Sequence, residues 1–198
     1  MDLKTNILID PLPTTIYNGE IEIFTDFRNW ILFELLLQSN KLNEIEKIDE
    51  MIRLTIKPPY ERLGKYNPEI LIKEIINFYA KKDIENKGKN NDEKVKQIYS
   101  YEYDNDYIFS SFYRAYNIDL TTVKMHWWKF KALFQGLPED SIMVKIMGYR
   151  GMKITSKMSK EEQRFYREKK KIFALPDNRT EEEKETDFAE SLFKGFMM

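Results

Sequence analysis

The sequence predicts a mainly α protein, a multi-helix bundle-like domain with a small N-terminal β-hairpin. Three observations carry that expectation. Apolar residues recur at helical spacing through most of the 198 residues, N-capping signals stand ahead of nearly every such stretch, and period-two alternation is confined to the first 24 residues. Hydrophobic residues make up 42% of the chain, with 13 Phe, 12 Tyr and 3 Trp, enough bulky side chains to build a core although 33% of residues are charged.

Residues 1–24 read as an arm and a hairpin. Thr14–Tyr17 and Glu20–Phe24 alternate around Asn18-Gly19, a dipeptide that accepts positive φ and closes a tight turn. Residues 25–80 form a first helical part. Thr25 or Asp26 caps a helix with Phe27, Trp30, Ile31, Phe33, Leu35 and Leu37 on its apolar face. A second helix over 42–56 places Ile45, Ile48, Ile52 and Ile56 in one buried stripe and stops at Pro58-Pro59. Asn67-Pro68 opens a third through Ile70, Ile72, Ile75, Ile76 and Phe78.

Residues 81–96 are dominated by Lys, Asp, Glu and Asn and read as a polar loop with almost nothing to bury. An aromatic-rich helical part follows over 97–175. A helix near 104–116 sets Ile108, Phe112 and Tyr116 on one face. Asp119 or Thr121 caps the next, through Val123, Trp127, Phe130 and Phe134, with Gly136 expected as a left-handed stop. Leu137-Pro138-Glu139-Asp140 connects to a helix through Ile142, Val144, Ile146 and Met147. Ser159 to Glu162 and Thr180 to Glu183 both match the reciprocal capping box. Residues 176–198 make an acidic amphipathic C-terminal helix, and the parts together are expected to form one compact domain.

The chemistry-bearing residues point away from catalysis. His126 is the only histidine, so zinc could draw no second imidazole, and no nucleophile stands at a telling spacing; a packed or capping histidine is the favoured reading. There is no cysteine, which removes disulfides and thiolate chemistry and suits a reducing compartment. The seven glycines never take a phosphate-loop spacing, and the carboxylates are scattered. No catalytic, cofactor or metal site is expected. Neither a secretory signal nor a membrane span is expected, since no apolar stretch is long enough.

Lys and Arg (32) balance Asp and Glu (33), so any electrostatic partner must meet a local patch. Between 141 and 175 stand Lys145, Arg150, Lys153, Lys157, Lys160, Arg164, Arg167 and Lys169–Lys171, against Glu161, Glu162 and Glu168. With Tyr149, Phe165 and Tyr166 interleaved, such a stretch can track a phosphate backbone and stack on bases. The favoured reading is that it meets the acids of 176–198, within the chain or between copies. The C-terminal helix carries Phe188, Leu192, Phe193 and Phe196 in an apolar stripe, which together with Trp30 makes the expected partner-binding set.

Several strings resemble the bacteriophage family called gene product fifteen: Thr25-Asp26-Phe27-Arg28; Phe112 through Leu120, with Tyr116 and Asp119; His126-Trp127-Trp128-Lys129-Phe130; Leu137-Pro138-Glu139-Asp140; and Ile146-Met147-Gly148-Tyr149-Arg150. The resemblance spans about residues 14–177. It implies a non-enzymatic tail assembly chaperone, acting in the host cytoplasm, that binds the tape measure protein, with the tail tube protein and further copies of itself as additional partners. Asp26, Arg28, Tyr116, Asp119, Trp127, Trp128, Phe130, Pro138, Tyr149 and Arg150 carry over as structural landmarks. A nucleic-acid-binding module and a structural tail component are the alternatives.

Overall fold

Glu20 N–H donates to Tyr17 O across Asn18-Gly19, and both central residues take positive φ, as a mirror-image hairpin turn requires. The strands it joins are short, β1 (Thr15–Ile16) and β2 (Ile21–Glu22), antiparallel with Thr15 opposite Glu22 and Ile16 opposite Ile21. The computed structural model describes residues 5–39, 41–81 and 97–176. Most of the 81–96 stretch, the Thr180 capping box and the C-terminal helix with Phe188, Leu192, Phe193 and Phe196 lie outside the described residues. By its internal contacts the chain divides into two units, Met1–Gly148 and Tyr149–Met198.

The described residues are mostly helical: α1 (Phe27–Gln38), α2 (Glu44–Thr55), a 3-10 helix over Tyr60–Lys65, α3 (Pro68–Ala80), α4 (Asn105–Tyr116), α5 (Trp127–Gln135), α6 (Ile142–Gly151) and α7 (Lys160–Ile172). The starts follow the capping logic. Asp26 accepts from Arg28 N–H, and Asn67 accepts from Glu69 and Ile70 N–H ahead of Pro68. Asn43 with Glu46 and Ser159 with Glu162 each complete both bonds of a capping box.

In the first unit, the end of α2 and the residues before α5 are sewn onto the hairpin. Phe24 N–H donates to Thr55 O and Lys57 N–H to Glu22 O, while Phe27 N–H donates to Met125 O and Trp127 N–H to Thr25 O. Around that seam Trp30, Phe33, Phe112, Trp127 and Phe130 are fully buried. Phe130 lies parallel to Phe27 (centroids 4.7 Å apart) and Phe112 (5.1 Å), so one ring of α5 joins α1 to α4.

Five expectations are corrected. Of the expected α2 stripe Ile56 is fully buried and Ile52 packs against the core, whereas Ile45 is 76% exposed and Ile48 also reaches solvent. Within the helix the buried residues are Met51 and Thr55, so only its C-terminal half is covered. On α1 Leu36 is buried and Leu37 is 46% exposed. On α3 Leu71 is buried with Ile75 and Phe78, leaving Ile70 and Ile76 outside. Helix α5 is capped by His126, not by Asp119 or Thr121, because Thr25–Asp26 draws residues 125–127 into an extended bridge first. Gly136 has no left-handed φ, and a Cβ there would stand 3.2 Å from Ala132 O.

Candidate partner-binding surface

Three of the recognisable strings converge in the first unit. Arg28 Nη1 pairs with Asp26 at 3.1 Å and its Nη2 donates to Leu120 O at 2.6 Å, tying the start of α1 to the loop before α5. In that loop Asp119 Oδ1 accepts from the Thr121 hydroxyl (2.6 Å) and N–H (2.8 Å), and these bonds hold its carboxyl below the usual range. Tyr116 donates its hydroxyl to Leu133 O at 2.9 Å, joining the end of α4 to α5. Pro138 is exposed, and its carbonyl accepts from Ser141 N–H at the approach to α6.

The His-Trp-Trp string works as a clamp. His126 Nδ1 accepts from Trp128 N–H at 3.1 Å, and Nε2 stands 3.0 Å from Pro13 O, an acceptor, so the ring is neutral with its proton on Nε2. Burial pushes its pKa below the usual histidine value, in keeping with that form. The indole N–H groups of Trp127 and Trp128 donate to Tyr79 O (2.9 Å) and Phe78 O (2.8 Å), and Lys131 Nζ reaches Tyr79 O and Ala80 O. The last carbonyls of α3, of which Phe78 O also accepts from the capping Lys81 N–H, are thus met by donors from α5.

Beside the clamp lies a buried polar cluster that nothing in the sequence marks. Glu34, 7% exposed, accepts from the Tyr79 and Tyr99 hydroxyls, and burial raises its pKa. Tyr99 is pushed up to about 12 by burial and by the Glu34 charge, and Tyr101 rises for the same reasons. The cluster ties α1 to α3 and to the segment entering α4, and each hydroxyl and the carboxylate are occupied in doing so. It has the character of a structural tie.

Trp30, expected at a partner surface, is at 0% exposure with its indole N–H donating to Phe24 O at 2.8 Å. It is a core residue. The apolar side chains left to solvent include Leu8 and Ile9 in the N-terminal arm, Leu32 and Leu37 on α1, Leu42, Ile45 and Ile48 at and within α2, Ile70 and Ile76 on α3, and Tyr103, Tyr107 and Tyr113 around α4. The helical spacing of Leu42, Ile45 and Ile48 shows in the sequence; their exposure does not.

In the second unit Arg150 is 6% exposed, with Nε donating to Phe173 O at 2.6 Å, while Lys170 Nζ donates to Arg150 O. Lys169 Nζ lies over the Tyr149 and Phe165 rings at 5.9 and 5.5 Å, and Tyr149 stacks on Phe173. Arg164 pairs with Glu168 at 3.2 Å, both well exposed. Three of the basic residues expected to face a polyanion are therefore engaged in packing this unit, whereas Lys153, Arg164, Arg167 and Lys171 remain at the surface.

Among the described residues no group of three or more His, Asp or Glu stands placed to hold a metal, and no helix is long and apolar enough to cross a membrane. The family described as Bacteriophage Gp15 protein matches residues 8–175. No curated protein and no solved structure matches the chain.

Proposed function

Since the chain belongs to the Bacteriophage Gp15 protein family, we propose that it is a non-enzymatic tail assembly chaperone, binding the tape measure protein in the host cytoplasm while the tail is built. The observation that carries this reading is the division of labour among apolar residues. The aromatic rings close the core, while aliphatic side chains on α1, α2 and α3 stay in solvent, Ile45 most of all. A long helical partner with apolar stripes needs cover until tube subunits enclose it, and binding by mass action supplies that cover. The tail tube protein and further copies of this chain are secondary partners.

Co-expression with the tape measure protein of the same phage tests the proposal. The two copurify at low and moderate salt, and the tape measure protein moves from the pellet to the soluble fraction; if it stays insoluble and unbound, the proposal fails. Purified virions lacking the protein favour a chaperone over a structural tail component. A nucleic-acid-binding module would rest on Lys153, Arg164, Arg167 and Lys171, with affinity falling steeply as salt rises. The packing roles of Arg150, Lys169 and Lys170 weigh against that reading.

A further inference from the structure

We propose that the groove between β1 and α3 takes up an extended, base-bearing segment of the partner polypeptide, added as a strand along Thr15 with a Lys or Arg set against Glu74. The inference rests on the assembly reading above and names the part of the protein that would hold the partner. The groove is an open depression of about 280 Å³, lined by the β1 turn on one side and by Glu74, Asn77, Phe78 and Trp128 on the other.

Three features of that groove call for a polypeptide ligand. First, Thr14 O accepts from Ile23 N–H and Ile16 pairs with Ile21, so the peptide groups of Thr15, between them, alternate away from β2. They have no hydrogen-bond partner among the described residues. An open strand edge of this kind is the template for strand addition. Second, Asn77 Nδ2 is buried without an acceptor. A buried donor without a partner costs on the order of 1–3 kcal/mol unless a ligand supplies the acceptor, and a backbone carbonyl of an added strand is such an acceptor. Third, the lining contains one carboxylate, Glu74, and no Lys, Arg or His. Glu74 has no ion pair among the described residues. The apolar floor comes from Phe78 and from Trp128, whose indole N–H is already committed to Phe78 O. An extended chain with a cation at one position fills all three requirements, and an amphipathic helix fills only the last.

The full chain co-expressed with the tape measure protein decides the matter. Glu74→Lys, a surface charge reversal, and Thr15→Pro, which removes only an outward N–H from an edge strand, each lower the copurified tape measure protein at least tenfold, while Glu74→Lys leaves the melting temperature unchanged. The chain has no cysteine, so Thr5→Cys gives a single thiol at the groove. Labelled with a benzophenone maleimide, it crosslinks to a Lys- or Arg-bearing segment of the tape measure protein. Wild-type copurification by both groove variants overturns the groove and leaves the assembly reading standing. A crosslink between two copies of this chain also overturns it, since the occupant is then a sister molecule. Failure of the wild-type chain to copurify removes both.

Discussion

Helix α5 buries Trp127, Phe130 and Phe134 within nine residues, whereas α2 runs for twelve and buries only Met51 and Thr55. Both are amphipathic on paper. The difference lies in what the apolar side chains can do besides being apolar. Two of those in α5 carry an indole N–H that must find an acceptor, and the end of α3 offers carbonyls that must find donors, so position and orientation are fixed together. The isoleucines of α2 have no such handle. Its N-terminal half is held by its own capping box and leaves Ile45 and Ile48 in solvent. Directional polar anchors decide which apolar face is spent on the core.

The largest test of that contrast is Phe130→Ala. Deleting a ring that touches Phe27, Phe112, Trp127 and Phe134 is expected to cost about 3–5 kcal/mol in urea unfolding; a loss below about 1 kcal/mol would show that α5 is not the centre of the unit. Acid comes next. Folding favours the neutral His126 ring, so its contribution is complete above the usual histidine value of about 6.5 and is lost as pH falls through the lowered folded value. Protonated Nδ1 can no longer accept from Trp128 N–H, a cap worth on the order of 1 kcal/mol. The thermal midpoint of the wild type therefore drops more between pH 7 and 5 than that of His126→Asn, which keeps an acceptor and does not titrate; parallel curves would refute the cap. The smallest effect belongs to α2. Ile45→Ser changes stability by less than about 0.5 kcal/mol while weakening capture of the tape measure protein, so a large loss of stability would place Ile45 in the core after all.

Local chemistry was legible in the sequence and long-range packing was not. Asn18-Gly19, Asp26, Asn67-Pro68 and Ser159 through Glu162 each state a backbone need that the residue itself satisfies, and each appears where expected. The Asp119 signal was also real, because its carboxylate caps a turn. The chain then extends to meet Asp26 before α5 can begin, a contact across about a hundred residues that no window of sequence contains. Burial of Trp30 and exposure of Ile45 fail for the same reason: periodicity identifies an apolar face but not which turns of it are covered. Glu34 is the extreme case, a lone carboxylate on an apolar helix whose partners, Tyr79 and Tyr99, are distant in sequence. Of the candidate surface, the stripe was visible and the groove beside β1 was not, since it depends on how β1 meets α3.

That shared carboxylate also has a practical use. Because Tyr79 and Tyr99 grip the same side chain of α1, the described residues on either side of positions 82–96 are held together by bonds that do not involve those positions. Enlarging a connection whose ends are already fastened carries only a slowly growing entropic penalty. A reporter domain inserted after Gly88 should thus leave the unit folded, giving a way to follow the protein through infection with both chain ends untouched.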